Sequence, residues 1–255
     1  MNKLNISITR ISQLKDNYSY LITDHKSKNA ILIDPAESKI IINILIKEKL
    51  NLTSILLTHH HADHVSGVSD ILKFINVPVY SPSRNIKETS YIIKDNNVID
   101  LSFIKMTVIS TPGHTLDHVV YYNKKNKLLF SGDTLFRLGC GKIFEGTNGA
   151  MHKSLQKISK LEDETMVYCG HEYTKNNLNF LESIFSNNLA LQITKDKIIR
   201  QINLTNSSIP FNLGEEKQIN PFLSSNTEFY QKFKIAKKFT NLQMFCFLRG
   251  LKDKF

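Results

Sequence analysis

The chain has 255 residues, of which 41% are hydrophobic and 22% are charged, and this composition is ordinary for a soluble globular protein. No run approaches the roughly 18–20 uninterrupted apolar residues that a membrane span requires, so a membrane-spanning protein is excluded. The net charge of +10 could attract a polyanion, but the lysines are scattered without a long basic block, and we predict no nucleic-acid partner. A small anionic substrate would benefit from the same positive field.

The cysteines and the N-terminus indicate the compartment. Cys140, Cys169 and Cys246 are odd in number and form no C-x-x-C pair, which argues against a disulfide framework or a thiolate zinc site. The N-terminal residues are polar from the start and lack the apolar core of a signal peptide. We therefore expect a cytoplasmic protein.

The first two-thirds of the chain alternates short β-rich runs with turns. Strands are predicted at Asn5–Ile11, Tyr18–Thr23, Ala30–Ile33, Ser54–Leu57, Val77–Tyr80, Val98–Leu101, Met106–Ser110, Val119–Asn123, Leu128–Ser131 and Met166–Cys169. A helix is predicted around Lys39–Lys49, and another begins near Val65, where a histidine cluster ends. Strands interleaved with helices predict an α/β domain over residues 1–173.

The remainder of the chain shows helical spacing instead of strand signals. Leu178 and Phe185 fall on one helical face, and Asn241–Phe255 is also helical in pattern. No Gly- or Pro-rich linker precedes this part. The sequence therefore predicts a small α-helical C-terminal domain over residues 174–255.

A dense group of metal-binding residue types follows the predicted strand that ends at Leu57. His59 and His61 are two positions apart, so extended backbone would point both side chains the same way. Asp63 and His64 stand where the next helix begins, and the turn can bring them to a second position nearby. Imidazole and carboxylate are ligands that zinc and similar divalent metals prefer. A solvated polar loop is the alternative, but it would crowd four titratable groups without compensating charge.

Three further candidates follow later strands, namely His114, Asp133 and His171. Each alone is a weak signal, because a lone histidine is more often a structural residue. Their shared position on loops at strand ends, where α/β sheets place active sites, favours a common site. Seven ligands exceed what one tetrahedral metal needs, so we expect two divalent metal ions with Asp133 as the natural bridge. The ligands fit Zn²⁺, and iron or manganese would also be accepted.

Other conspicuous residues receive supporting roles. Asp34 is interpreted as a carboxylate that orders the loop beneath the site. His60 is predicted to point away from the metals, because its neighbours on either side point toward them. His118 is interpreted as a core or supporting residue rather than a ligand. Cys140 and Cys169 are interpreted as small packing residues.

These motifs, taken in order, resemble the metallo-β-lactamase superfamily and, within it, the glyoxalase II (hydroxyacylglutathione hydrolase) family. The histidine cluster alone specifies only the superfamily, whereas Gly139-Cys140-Gly141-Lys142 and Arg249-x-x-Lys252-Asp253 specify the thioesterase. The resemblance runs through nearly the whole chain. It also rests on Asp16-Asn17-Tyr18, Gly132-Asp133-Thr134-Leu135-Phe136, Glu145-Gly146-Thr147, Cys169-Gly170-His171-Glu172-Tyr173-Thr174 and Asn220-Pro221-Phe222.

The resemblance implies a fold, a ligand set and a reaction. The fold is the αββα sandwich followed by a helical substrate domain. The reaction is hydrolysis of S-D-lactoylglutathione, and of other 2-hydroxyacylglutathiones, to glutathione and D-lactate, the second step of methylglyoxal detoxification. The two metals are assigned to His59, His61 and His114 and to Asp63, His64 and His171, with Asp133 as the bridge.

A mechanism follows from these ligands. Water bound between two metals has its pKa lowered to about 7, so we predict that a bridging hydroxide attacks the thioester carbonyl carbon. One metal then stabilises the oxyanion, and no nucleophilic serine or cysteine is required. Asp63 and Asp133 are the catalytic carboxylates in this scheme.

Substrate capture is assigned to cations near the C-terminus. Arg249 and Lys252 are three apart on a predicted helix and share a face, although a solvated basic helix end would look the same. The resemblance assigns this pair to the glycine carboxylate of glutathione, and Lys142 and Tyr173 to other glutathione contacts. Phe144 stands where some family members carry a tyrosine that hydrogen-bonds glutathione.

Three alternatives stay open at this point. A persulfide dioxygenase of the same superfamily uses a single iron and usually lacks a helical tail. A superfamily nuclease would explain the positive charge, but its additional nucleic-acid-binding motifs are not visible. A non-enzymatic metal-binding scaffold is disfavoured because all seven ligands are intact. We expect a monomer that acts on a small-molecule thioester without a membrane partner.

Overall fold

The structure, a computed structural model, describes residues 5–186, 188–225 and 228–255. The chain divides into two compact units. The first holds the described residues up to Ser110 together with Asp117–Asn126, and the second holds Thr111–Leu116 and Lys127–Phe255. Within the described ranges, no helix is long and apolar enough to cross a membrane.

The first unit is built on a mixed sheet of six strands that lie side by side in chain order. They are β1 (Ile6–Gln13), β2 (Asn17–Asp24), β3 (Asn29–Ile33), β4 (Asn51–Leu56), β5 (Val79–Ser81) and β6 (Tyr91–Ile92). β1 to β3 are antiparallel, and β3 to β6 are parallel. Helix α1 (Ser38–Lys47) makes the crossover between β3 and β4 that a parallel pair requires.

Alternate strand positions supply the core of this sheet. Leu32 and Ile55 point to the same side as the helical residues Ile41 and Ile71, and all four are buried in one apolar cluster. The same unit also contains an antiparallel group formed by β7 (Val98–Asp100), β8 (Lys105–Ser110) and β9 (Val119–Asn123). The bounds of β7, β8 and β9 lie within one residue of the predicted ones.

The helix predicted after the histidine cluster is divided into α2 (Ala62–Val65) and α3 (Val68–Phe74). The break lies at Gly67, whose amide donates to the carbonyl oxygen of Pro35 at 2.9 Å. A Cβ on Gly67 would lie 2.9 Å from the same oxygen. Periodicity predicted one helix because the apolar spacing continues across the break, whereas this backbone contact divides it.

The second unit contains β10 (Leu128–Gly132), β13 (Met166–Cys169) and β14 (Phe211–Asn212), with β13 parallel to β10 and antiparallel to β14. A short hairpin of β11 (Leu135–Phe136) and β12 (Gly139–Cys140) follows β10. The expectation that strands end before residue 174 is wrong at β14. A two-residue strand is too short to produce an alternating pattern, and β14 exists because Phe211 pairs with Val167.

Six helices complete the described part of the second unit, and five of them follow residue 173 as predicted. They are α4 (Asn148–Ser159), α5 (Thr174–Ile184), α6 (Leu189–Thr205), α7 (Leu213–Ile219), α8 (Glu228–Lys237) and α9 (Asn241–Lys252). Asn188 and Asn212 cap α6 and α7 through their side chains, and Thr240 and Gln243 form a capping box at α9. The last helix therefore has a fixed start and carries Arg249 to a defined position.

Candidate metal centre and substrate cavity

β4 ends directly before the first group of candidate ligands, and α2 begins within that group. The ring centroids of His59 and His61 lie 4.8 Å apart, and those of His59 and His64 lie 4.2 Å apart. Asp63 Oδ2 lies 3.7 Å from His64 Nε2. The structure therefore brings together the four predicted ligands that belong to the first unit.

Asp34 fixes the orientation of two of these imidazoles. Its carboxylate accepts hydrogen bonds from the Thr58 amide at 2.8 Å, from the Thr58 hydroxyl at 2.7 Å and from His64 Nδ1 at 3.1 Å. The Thr58 oxygen in turn accepts from His59 Nδ1 at 3.0 Å. Because Nδ1 is the donor on both rings, Nε2 carries the lone pair, and this is the form of histidine that binds a metal.

The other two histidines near this group contact protein side chains. His60 Nδ1 lies 2.9 Å from Asp117 Oδ2. The ring of His118 is fully buried and stacks on His59, with centroids 4.8 Å apart. His60 thus has a carboxylate partner, and His118 supports a ligand ring by packing.

Asn17 orients the candidate ligand Asp63, a role that was not predicted from the sequence. Its Nδ2 donates to both the backbone oxygen and the Oδ2 of Asp63, each at 3.0 Å. These bonds hold the Asp63 carboxylate at the start of α2. The motif around Asn17 carried the family resemblance, but no local pattern signals a contact across 46 positions.

The second unit brings together the other three candidate ligands. Asp133 Oδ2 lies 3.4 Å from His114 Nε2 and 3.3 Å from His171 Nε2, and all three side chains are buried. His114 Nδ1 donates to the Lys142 carbonyl oxygen at 2.7 Å, so Nε2 carries the lone pair that faces Asp133. A lone pair and a carboxylate oxygen repel each other unless a proton or a cation lies between them. This arrangement fits a divalent metal.

The turn that carries Asp133 leaves no room for a side chain at Gly141. β10 ends at Gly132, whose φ of 46° is left-handed and favours glycine. The Gly141 amide donates to the Thr134 carbonyl oxygen at 3.2 Å, and a Cβ on Gly141 would lie 1.9 Å from the Asp133 carbonyl oxygen. These glycines therefore allow the backbone to close around Asp133.

A cavity of about 300 Å³ in the second unit is lined by all four residues that were predicted to bind the substrate. Tyr173 lines the cavity, and its ring stacks on the ring of His171, with centroids 4.6 Å apart and an angle of 8° between the planes. Two candidate metal ligands and the four substrate residues line this one space, namely His114, Asp133, Lys142, Tyr173, Arg249 and Lys252.

The two cations of α9 have different surroundings. Arg249 is 5% exposed, and its Nη1 donates to the Cys140 carbonyl oxygen at 3.1 Å, so it is not a solvated helix end. Lys252 Nζ donates to the Asn176 carbonyl oxygen at 3.1 Å. Burial, aided by the nearby charge of Arg249, lowers the pKa of Lys252 to about 8.

Glu216 of α7 and Asn220, the C-cap of that helix, hold the hairpin that forms one wall of the cavity. Asn220 Nδ2 donates to the Gly139 carbonyl oxygen at 3.1 Å and to Glu216 Oε2 at 3.0 Å. Glu216 Oε2 also accepts the amide of Leu138 at 2.8 Å, where the backbone is left-handed with φ of 60°. Burial raises the pKa of Glu216 to about 7. Asn220 belongs to a motif that carries the family resemblance, but no local sequence pattern predicts these contacts of either residue.

Phe144 gives the cavity an apolar edge. Its side chain is 61% exposed, and its ring packs edge-on against His114 with centroids 5.2 Å apart. Lys142 Nζ lies 5.6 Å from the ring centroid, a cation–π distance. Where the resemblance implies a tyrosine hydroxyl in some family members, this cavity presents the Phe144 ring and the Lys142 ammonium.

Comparison with known proteins finds a matching family for each of the two parts of the chain. The family model described as the metallo-beta-lactamase superfamily matches residues 14–171, and the one described as the hydroxyacylglutathione hydrolase C-terminus matches residues 172–255. The hydroxyacylglutathione hydrolase of Pectobacterium atrosepticum is 40% identical over 98% of this chain and 100% of its own length. That of Bartonella tribocorum is 39% identical over 94% of this chain and 96% of its own length.

The chain belongs to the hydroxyacylglutathione hydrolase family. The predicted resemblance is thereby confirmed, as is the predicted fold class, the metallo-β-lactamase fold followed by a C-terminal helical domain. Solved structures agree on the fold. ETHE1 from Myxococcus xanthus has a TM-score of 0.66 at 22% identity and covers 94% of this chain and 95% of its own. BLEG-1 B3 metallo-beta-lactamase has a TM-score of 0.64 at 22% identity and covers 86% of this chain and 99% of its own.

Membership in this hydroxyacylglutathione hydrolase family makes the chain an enzyme of the hydrolase class. The imidazole and carboxylate groups of its two units are donors of the type that bind divalent metals. The metallo-β-lactamase fold and these donors together imply a divalent-metal enzyme.

Proposed function

We propose that the chain hydrolyses S-D-lactoylglutathione and other 2-hydroxyacyl thioesters of glutathione, releasing glutathione and the hydroxy acid. The observation that carries this proposal is the cavity in which Lys142, Tyr173, Arg249 and Lys252 accompany His114 and Asp133. A site lined by both cations and metal-binding residue types suits an anionic thioester. The match of residues 172–255 favours this reaction over the persulfide dioxygenase and nuclease alternatives.

We further propose that seven residues bind two metal ions and that Zn²⁺ is the usual metal, with iron or manganese as alternatives. The orientation of His59 and His64 by Asp34 and Thr58 supports this, because their Nε2 atoms are then the metal-binding ones. The matched superfamily region includes every proposed ligand. The ligand sets are His59, His61 and His114 for one ion, and Asp63, His64 and His171 for the other, with Asp133 shared.

The chemistry divides between the metals and the chain. When bound, divalent metals lower the pKa of water and polarise a carbonyl oxygen, which is what thioester cleavage at neutral pH needs. Asp63 and Asp133 are the catalytic carboxylates, since they hold the ions in place. Asn17 holds Asp63, and the Lys142 carbonyl oxygen holds His114, so the ligands are preorganised before substrate arrives.

The remaining residues bind and orient the glutathione part of the substrate. Lys142, Arg249 and Lys252 supply positive charge, and Tyr173 supplies an aromatic surface and a hydroxyl. Fixing the thioester beside the ligands converts its attack into an effectively unimolecular step. We assign the α/β catalytic part to residues 1–173 and glutathione binding to residues 174–255, which contain α9.

The direct test uses the purified, metal-replete protein. Elemental analysis should give about two divalent ions per chain, and S-D-lactoylglutathione should be hydrolysed with release of free thiol. Full metal occupancy without thiol release from any 2-hydroxyacylglutathione would remove the substrate assignment. One ion per chain would remove the binuclear centre and favour the single-iron alternative.

The KM for S-D-lactoylglutathione should increase as the pH is raised beyond 8. Lys252 has a pKa of about 8, so its ammonium form is nearly complete at pH 7 and falls about tenfold by pH 9, which weakens the attraction for a substrate carboxylate. The measurement is KM from pH 7 to 9.5 for the wild type and for Lys252→Arg, whose guanidinium stays protonated. The same rise in both proteins would assign the effect to another group.

We also propose a monomeric, cytoplasmic enzyme. Its three cysteines are free in the structure, which fits a reducing compartment. Sedimentation analysis of the metal-loaded protein tests the oligomeric state.

A further inference from the structure

The second unit contains another cavity, of about 170 Å³, lined by residues of α6 and α7 and by Arg137. Arg137 belongs to the turn between β11 and β12, and it is 4% exposed. Among the described residues, none lines both this cavity and the substrate cavity. Its volume is below the roughly 300 Å³ at which pockets for drug-sized ligands begin, so it suits a ligand of few atoms.

The guanidinium of Arg137 uses one of its three nitrogen atoms for contacts within the protein. Nη1 donates to Gln201 Oε1 at 2.7 Å and to the Ser208 carbonyl oxygen at 2.6 Å. Within residues 5–186, 188–225 and 228–255, no group accepts a hydrogen bond from Nε or Nη2. Neither atom is among the fully enclosed polar atoms without a partner, so both open onto accessible space. They form the parallel N–H edge with which arginine binds a carboxylate at two points.

The charge of Arg137 also lacks an ion-pair partner in the described part of the chain. Burial lowers the pKa of Arg137, and the carboxylates of Glu216, Glu215 and Glu172 oppose this effect from beyond ion-pair distance. Glu215 is paired instead with Lys197, whose Nζ lies 2.9 Å from Glu215 Oε1. Buried cations in proteins are normally paired, because an isolated charge is costly to remove from water. A bound anion would supply the missing partner.

Glu216 and two isoleucines define the kind of anion that fits. Glu216 Oε2 accepts from the Leu138 amide and from Asn220 Nδ2, whereas Oε1 has no partner among the described residues. Burial raises the pKa of Glu216 to about 7, so part of the population is protonated near neutral pH and can donate a hydrogen bond to a carboxylate. Ile193 and Ile219 add apolar surface to the same cavity. These features suit a carboxylate with a short hydrocarbon chain better than an inorganic anion.

We propose that this cavity is a binding site for a short-chain monocarboxylate, which Arg137 holds through Nε and Nη2 while the hydrocarbon chain lies against Ile193 and Ile219. Gln201 and the Ser208 carbonyl oxygen fix the guanidinium, so the edge is preorganised for the ligand. The site goes beyond the proposed function, since it requires neither metal ions nor a thioester. Its ligand contacts the turn of the hairpin that forms one wall of the substrate cavity.

Calorimetric titration of the metal-replete protein with propionate tests the site, with chloride adjusted to keep the ionic strength constant. Thr194→Leu enlarges a side chain that lines the cavity and should raise the Kd for propionate at least tenfold. Gln192→Leu makes the same change in size at an exposed position of α6 outside the cavity, and it should keep the wild-type Kd. Arg137→Lys keeps the charge but loses the two parallel N–H groups, so its Kd should rise about threefold to tenfold.

The comparison between Thr194→Leu and Gln192→Leu decides the inference even if Arg137→Lys fails to fold. No binding of propionate to the wild type would overturn the inference. An unchanged Kd in Thr194→Leu would also overturn it, because the carboxylate would then bind elsewhere, for example at the metal centre. Sulfate, a dianion without an apolar part, should bind at least tenfold more weakly than propionate at the site that Thr194→Leu removes. Equal affinity for sulfate there would contradict the assignment to monocarboxylates.

Discussion

Asp133→Ala should abolish turnover, with kcat reduced on the order of 10³-fold or more, and should lower the metal content by at least one ion per chain. The Asp133 carboxylate lies 3.4 Å from His114 Nε2 and 3.3 Å from His171 Nε2, so its removal would take away the anionic ligand that we propose the two ions share. The neutral imidazoles carry no negative charge, and the Asp63 carboxylate alone would compensate less of the positive charge of two cations. Elemental analysis and thiol release, measured on the same preparation, check both effects.

Two comparisons make this result specific. Asp196→Ala removes an exposed acid from α6 and should retain both metal content and turnover. Arg249→Ala should instead raise the KM while the metals remain, because Arg249 lies in the cavity and is not a ligand. If Asp133→Ala keeps two ions per chain and its activity, Asp133 is not the bridging ligand.

Gly141→Ala should destabilise the fold and impair the metal centre together. A Cβ at this position would lie 1.9 Å from the backbone oxygen of Asp133, and backbone cannot move aside as a flexible side chain can. Overpacking of this severity costs about 3 kcal/mol or more, which corresponds to a fall of roughly 6–12 °C in Tm for a chain of this size. Thermal unfolding followed by metal analysis of the folded fraction measures both losses.

Gly250→Ala is the matched control. Gly250 lies inside α9, and a Cβ there would meet no atom within 4 Å, so alanine should raise the stability by about 0.5–1 kcal/mol through helix propensity. A Gly141→Ala protein with the Tm and metal content of the wild type would show that the Asp133 turn tolerates a side chain, contrary to this account.

The longer strands and the candidate ligand types of this protein follow from local sequence. The β-prone residues of Tyr18–Thr23 and the short apolar run at Ser54–Leu57 are properties of neighbouring residues; the first lies in β2, and all but the last residue of the second lies in β4. The histidine cluster is contiguous, so its proximity in space needs only the end of β4 and the start of α2. The C-terminal helices are likewise set by spacing of three and four residues.

The partners of those residues were decided by tertiary structure. The sequence contained Asn17, Gly67 and Glu216, but not the contacts of Asn17 with Asp63, of Gly67 with Pro35, or of Glu216 with the Leu138 amide across 78 positions. β14 was missed for the same reason, because it is a strand only through its pairing with β13.

By itself, the sequence identified the side chains that we propose to bind metal and glutathione, since residue type and short-range order carry that chemistry. Tertiary structure decided what each charge faces. Arg249 meets the Cys140 carbonyl oxygen 109 positions away, and Asp253 occupies its other edge. The physical reason is that local spacing fixes only contacts within a strand or a helix turn, whereas burial and ion pairing depend on segments brought together by folding.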